Sequence, residues 1–187
     1  MIDRKEIEAA DVDAARAGLP GAVDCLVAAA WPHAYRIAYS LLHDRDLAQD
    51  AAQEACAAIF TGIGRLRTAA AFRVWLYRIV VREASRLERR RAIGRALGIV
   101  PTPASDDIAV STLRTDVQRA LAKLPPHQRA AIVLRYYAEM NSSEIGAVLR
   151  MPAGSVRFHL LEARRALERH LGASHVAKCF LEVSGAV

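Results

Sequence analysis

The chain has 187 residues, 53% of them apolar, with 26 basic side chains against 20 acidic ones and a formal charge of +6. That length allows one or two domains with real cores. Cys25, Cys56 and Cys179 are odd in number and lack paired spacing, which argues against a disulfide framework and a zinc site, and no uncharged apolar run is long enough to span a membrane.

Much of the apolar content is alanine, glycine is scarce, and no alternating apolar-polar run reads as a strand. This composition favours helix, so the expected fold is all-α: two small helical domains joined by a flexible tether, the second containing a helix-turn-helix. The pI is near 9.6. Only Lys5, Lys123 and Lys178 are lysines, and arginine dominance suits bidentate phosphate contacts, although a GC-rich genome would enrich arginine and alanine alike. Free cysteines fit a reducing cytoplasm, and the charged start, MIDRKEIEAADVD, lacks the apolar segment of a signal peptide.

Met1 to Ala17 is acidic and predicted helical, punctuated by Gly18, Pro20 and Gly21. Ala22 to His43 is helical, with Leu26, Trp31, Tyr35, Ile37, Ala38, Leu41 and Leu42 as core candidates. Pro32 either kinks this helix or begins its second half. HDRD at 43–46 is a break and a new start, its acids favouring the positive dipole end. In DLAQDAAQEACAAIF, Leu47, Ala51, Ala55, Ala58 and Ile59 fit a buried face, while Asp50, Gln53 and Glu54 fall on another. Between Ser40 and Thr61 four acids face Arg45 alone. Phosphate would repel such a helix; it suits a partner protein's basic groove, or is simply a solvated face.

Thr61 to Ala71 reads as a loop, and AFRVWLYRIVVREASRLERRR as a long helix with Phe72, Trp75, Leu76, Ile79, Val80 and Leu87 inward. From Ile63 to Arg95 ten arginines face Glu83 and Glu88, a +8 stretch that exceeds the charge of the whole chain. Such a stripe resembles a nucleic-acid surface, and aromatics beside a basic loop can stack on unpaired bases; the alternative is a solvated helix whose aromatics are all core. Residues 92–110 form the linker, broken by Gly98, Pro101 and Pro103, with an extended reach of roughly 60 Å.

Thr112 to Leu124 and His127 to Met140 are the next helices, separated by Pro125 and Pro126, the second with Ile132, Val133, Leu134 and Tyr137 inward. NSSEIGAVLRMPAGSVRFHLLEARRALERHL then reads as two helices on a tight turn. Asn141 and Glu144 fit a capping box, Pro152 stops the first helix, and Ser155 is placed to cap the second. Val156, Leu160, Ala163, Leu167 and Leu171 form one stripe. The opposite face carries Phe158, Leu161, Glu162, Arg165 and Arg169, flanked by Ser155 and Arg157. This is the geometry of a major-groove reader or of an ordinary helical hairpin with a basic face. Phe158 and Leu161 suit thymine methyls or another protein surface. The tail, 172–187, carries no functional signal.

The order of these segments resembles an extracytoplasmic-function (ECF) sigma factor, over roughly Val12 to Leu171. DLAQDAAQEACAAIF is similar to that family's A-x-D-x-x-Q-E helix, FRVWLYRIVVREASRLERRR to its W-L-x-x-I-x-R helix, and LAKLPPHQRAAIVLRYYAEMNSSEIGAVLRMPAGSVRFHLLEARRALERHL to its L-P-x-x-x-R, E-I-A, G-T-V and A-R-x-x-L run. The resemblance implies a domain at 1–91 for core polymerase and the −10 element, a linker at 92–110, a domain at 111–171 for the −35 element, and a short tail. Asp50, Gln53 and Glu54 would bind the β′ clamp helices of core RNA polymerase. Arg65, Arg67, Arg73, Arg78, Arg82, Arg86, Arg89 and Arg90 would line the −10 surface, where a non-template base is unstacked and captured. The second domain would dock on the β flap and set Ser155, Arg157, Phe158, His159, Arg164 and Arg165 over −35 promoter DNA. A cytoplasmic bacterial factor held by an anti-sigma factor is implied, with no cofactor and no metal.

This sequence departs from the family at several of these positions. Cys56 stands where phenylalanine is usual, and Arg82 and Arg86 replace asparagine and aspartate. Arg150 occupies a turn position that favours glycine, and Phe158, His159 and Glu162 replace serine, arginine and arginine. The competing reading is a stand-alone helix-turn-helix regulator whose first domain serves dimerisation or partner binding. An enzyme has no support: there is no phosphate loop, no ligand cluster, and no nucleophile beside a base.

Overall fold

The computed structural model describes residues 7–98 and 113–171. Eight α-helices are described, and there is no strand among the described residues. They are α1 (Ala9–Arg16), α2 (Ala22–Leu42), α3 (Arg45–Gly62), α4 (Phe72–Ala96), α5 (Leu113–Ala122), α6 (Pro126–Tyr137), α7 (Ser142–Leu149) and α8 (Ala153–Leu171). Two short 3₁₀ turns, Ile63–Arg65 and Ala69–Ala71, punctuate the segment expected to be a loop.

The first four helices form one group around α2. Pro32 lies inside a continuous α2 rather than dividing it. The helix stops at His43, which takes the left-handed conformation with φ 53°. Asp44 then caps α3, its side chain accepting from the Asp46 and Leu47 amides. Ala30, Ala34 and Ala38 of α2 and Ala48, Ala51, Ala52 and Ala55 of α3 are fully buried. Side chains this small let the two helix backbones approach closely. The buried face of α3 is therefore turned from the expected one: Leu47 and Ala58 are only half-buried, and Ala48, Ala52 and Cys56 are buried instead. Leu26, Ile37, Ile59, Phe72, Leu76 and Val80 fill the space between α2, α3 and α4. Trp31, Tyr35, Trp75 and Leu87, expected inward, are half-buried and pack on the edge of this core.

Helix α4 runs past Arg91 to Ala96 and ends at Leu97, with Gly98 at φ 68°. The first residues of the expected linker are thus helical, and its residues 99–110 lie outside the described residues, as does the tail at 172–187.

Helices α5 to α8 form the second group. Pro126 opens α6 at its first position, where a missing amide costs nothing. Asn141 and Glu144 form the expected capping box on α7. Arg150 ends that helix at φ 56°, without the glycine that this conformation favours. The turn is tight: the Met151 amide donates to the Gly146 carbonyl at 3.0 Å, and a Cβ on Gly146 would lie 2.6 Å from the Met151 carbonyl oxygen. Ser155 does not cap α8 as expected. The Val156 amide bonds to the Pro152 carbonyl at 3.1 Å, so the helix begins ahead of Ser155, which sits in its first turn. Val156, Leu160, Ala163 and Leu167 are buried, as their spacing requires, and Leu171 is half-buried.

The two groups pack on each other, α2 against α5 and α6, and α4 against α7.

Candidate functional site

Three surfaces carry the residues singled out from the sequence. The first is the outer face of α3. Because the alanine side of this helix faces α2 and α4, Asp50, Gln53 and Glu54 are exposed, with Asp46 and Gln49 beside them. None of these side chains takes part in a described hydrogen bond or ion pair. Steps of three and four from Asp50 through Gln53 and Ala57 reach Phe60 on the same face, and Phe60 is 56% exposed. Phe60 is not among the residues that spacing singles out; its signal is a large aromatic that the alanine stripe cannot cover.

The second surface is the turn between α3 and α4, together with α4. Arg16 of α1 holds the turn, donating from Nε to the Leu66 carbonyl and from Nη2 to the Arg67 carbonyl, both at 2.9 Å. Gly62 makes room for Trp75: a Cβ there would fall 2.8 Å from Trp75 Cζ2. The Trp75 ring packs near Phe72, with centroids 5.9 Å apart.

The eight arginines expected at −10 DNA do not act alike. Arg65, Arg67, Arg89 and Arg90 are exposed, and no described bond engages their side chains. Arg82 and Arg86 grip Glu83 at 3.0 and 2.6 Å. Burial pushes the Glu83 carboxyl up, but the hydrogen bonds and charges of Arg86 and Arg82 outweigh it and hold the group below its usual range. Arg91 pairs with the α3 cap Asp44 at 3.0 Å.

Arg73 and Arg78 point at the second helical group. Arg73 donates to the Ala138 carbonyl, and Arg78 donates to the Ala147 carbonyl from Nη2 at 2.8 Å and from Nε at 3.2 Å. Arg36 of α2 reaches the Tyr137 carbonyl at 2.7 Å. These carbonyls lie at the C-terminal ends of α6 and α7, where backbone acceptors lack helical partners and the dipole is negative. Three cations of the first group therefore cap two helices of the second. Arg129 to Glu88 and His43 to Gln118 complete the contact. Composition and spacing gave no sign of it, because it joins residues 41 to 101 positions apart in the chain, which only the fold brings together.

The third surface is α8. Ser155, Arg157, Phe158, Arg164 and Arg165 are exposed. Arg164 is steered by Tyr136, whose hydroxyl accepts from its Nε at 3.1 Å, and Arg165 pairs with Glu162 at 3.0 Å. His159 stands apart from the others. It is half-buried on the flank, its ring 5.9 Å from that of His127, and its Nδ1 is buried with no described partner.

An acidic helix, an arginine-rich helix and a helix-turn-helix in this order have counterparts among known proteins. Residues 26–93 match Sigma-70 region 2, and residues 114–167 match Sigma-70, region 4. The ECF RNA polymerase sigma factor SigM of Mycobacterium tuberculosis is 34% identical over 139 residues, covering 74% of this chain and 71% of that protein.

The chain belongs to the ECF sigma factors of RNA polymerase.

The ECF sigma factor SigW of Bacillus subtilis is 28% identical over 156 residues, covering 73% of this chain and 82% of its own. The structure of CnrH in complex with the cytosolic domain of CnrY superposes with a TM-score of 0.68 at 25% identity, over 88% of this chain and 96% of that one. A sigma factor RpoE from Bartonella quintana, solved with the anti-sigma factor NepR, shares the fold at a TM-score of 0.66 and 20% identity, over 82% of this chain and 98% of that one. As an ECF sigma factor the chain directs promoter recognition and transcription initiation. The match to region 2 is what a stand-alone helix-turn-helix regulator would lack. No described helix of this sigma factor is long and apolar enough to cross a membrane.

Proposed function

We propose that the three surfaces divide the work of initiation. The exposed acids Asp50 and Glu54, with Gln53, dock on the β′ clamp helices of core polymerase. The turn after α3 and the arginines of α4 bind the −10 element, and α8 binds the −35 element with its domain seated on the β flap. The working units are 1–91 and 111–171, joined by a linker at 92–110 and followed by a tail at 172–187. The factor acts in the bacterial cytoplasm, makes and breaks no bond itself, and is restrained by an anti-sigma factor; support for that restraint is that both structural relatives above were solved as complexes, one with the cytosolic domain of CnrY and one with NepR.

The observation that carries this reading is the opposition of charge on consecutive helices. The solvent face of α3 is acidic and makes no ion pair among the described residues, while α4 and the turn before it carry exposed Arg65, Arg67, Arg89 and Arg90. One element suits a basic protein groove and the next suits phosphate.

The proposal also requires the two helical groups to part. Elements centred about 25 base pairs apart lie on the order of 80 Å from each other along a duplex. A compact chain of this length has a radius of gyration of only about 16 Å. Arg73 and Arg78 cannot meet −10 DNA while they cap α6 and α7.

The test is co-purification with core polymerase followed by run-off transcription on genomic fragments. Stable binding and defined start sites are expected for the wild type. Exchanging Asp50 and Glu54 for lysine should abolish co-purification without loss of helix content. Unchanged binding by that variant would overturn the assignment of α3.

A further inference from the structure

Two apolar side chains stand where a groove-reading helix would carry hydrogen-bonding groups. Phe158 is 60% exposed and Leu161 is 46% exposed. They are three residues apart, so they share one face of α8. At about 100° per residue, Phe158 and Arg165 lie nearly opposite the buried stripe of Val156, Leu160, Ala163 and Leu167. The His159 ring borders Phe158 edge-on with centroids 5.9 Å apart, and both apolar side chains still face outward.

The rim around this pair is basic. Arg157, Arg164, Arg165 and Arg169 are exposed about it, and the nearest acid, Glu162, is neutralised by Arg165. An apolar centre ringed by arginines fits the floor of a major groove between its phosphate walls. That floor offers one apolar group, the thymine C5-methyl. Phenylalanine and leucine have no donor for guanine and no acceptor for cytosine, so they discriminate only by covering a methyl and excluding water.

We propose that Phe158 and Leu161 are specificity-determining residues that read thymine methyls in the −35 duplex. This rests on the assignment of α8 to that element. Phosphate contact by the arginines sets register and affinity, and the apolar pair sets the choice of base. His159, turned in against His127, takes no part in base reading.

The experiment uses the full chain with core polymerase and a duplex library randomised across the −35 element. Wild-type holoenzyme should enrich thymine at neighbouring positions. Replacing those thymines by deoxyuridine preserves every hydrogen-bonding group and removes only the methyl. Binding should fall about 4-fold per methyl, the transfer cost of one such group. Phe158→Ala and Leu161→Ala should bind thymine and deoxyuridine duplexes alike at the affected position. Both side chains are exposed, so the fold should persist, and circular dichroism checks this.

Equal wild-type binding to thymine and deoxyuridine duplexes would overturn the proposal, as would a Phe158→Ala variant that still discriminates. Loss of binding to a protein partner with discrimination intact would assign the pair to protein docking instead. Arg157→Ala separates the two levels. If it weakens binding while deoxyuridine has no effect, only the methyl reading fails. If neither Arg157→Ala nor Arg165→Ala matters and the −35 region is not protected, the placement of α8 itself fails.

Discussion

Arg129 of α6 is buried at 6% exposure, and its guanidinium donates to the Glu88 carboxylate of α4. It is the most buried cation of the contact between the two helical groups. A buried guanidinium left without its carboxylate is costly, whereas Glu88 itself is partly solvated, which reduces what the pair contributes. Glu88→Ala is expected to weaken the closed arrangement by about 1–3 kcal/mol. Fluorescence transfer between dyes on α1 and α8 should report a longer mean distance in this variant. An unchanged distance would mean that the arginine caps on α6 and α7 suffice.

His43 gives the same contact a pH dependence. Its Nδ1 lies 2.7 Å from Gln118 Oε1, and its Nε2 is buried with no described partner. Burial lowers its pKa; the Gln118 hydrogen bond works against this, the nearby Arg129 charge reinforces it, and Glu88 opposes it, with a net value below the usual imidazole range. The folded protein therefore holds this proton less readily than the unfolded chain does. The stability it confers is complete above the unfolded value of about 6.5 and declines as pH falls below that value. Melting temperature should drop between about pH 7 and pH 5.5. His43→Asn, which tolerates the left-handed backbone, should flatten that part of the profile.

The acidic face of α3 includes an aromatic whose role can be separated from its charges. Phe60 is exposed and contributes little to the core, so Phe60→Ala should leave the melting temperature nearly unchanged. Aromatic side chains dominate interface energetics. If Phe60 extends the polymerase-docking face, its removal should weaken co-purification about 10-fold, in line with the cost of losing an interface aromatic. A fall in melting temperature with intact polymerase binding would return Phe60 to a packing role.

The two described cysteines should differ in reactivity. Cys25 is exposed and Cys56 is buried between α3 and its neighbours. Burial pushes the Cys56 thiol up to about 11, so almost no thiolate exists at neutral pH, and the thiolate is the nucleophile. In a chain with Cys179 replaced by serine, a thiol reagent at pH 7.5 should modify one cysteine quickly and the second only on unfolding. Equal rates would show that α3 opens readily from α2.

Local signals carried most of the fold. The stripe in α8, the capping box at Asn141 and the break at HDRD depend on residues within one or two helical turns, and the structure places them as their spacing requires. Ser155 is as good a cap in isolation as any residue there, but the tight turn of Met151 onto Gly146 lets α8 begin earlier, at Ala153. The buried face of α3 was turned because alanine marks no face by hydrophobicity alone, and close approach to α2 decides it. At the candidate site, the sequence located the arginines without distinguishing their partners. Arg65 and Arg89 are exposed, while Arg73 and Arg78 cap distant helices, and only tertiary packing separates the two kinds.

The cap on α7 links local stability to DNA reading. Asn141 Oδ1 accepts from the Ser143 and Glu144 amides at 2.9 and 3.0 Å, and the Asn141 amide donates to Glu144 Oε2 at 2.8 Å. Asn141→Ala removes the first two bonds and should cost about 1 kcal/mol. In a protein of this size that is a fall of about 2–4 °C in melting temperature. Helix α7 sets the base of the turn that aims α8, so −35 binding should weaken by a similar free energy while binding to core polymerase through α3 stays constant. Asn141→Asp retains an acceptor at the cap and should restore both. If Asn141→Ala lowers stability but leaves −35 affinity unchanged, the position of α8 is set by its buried stripe on α6 and not by the cap of α7.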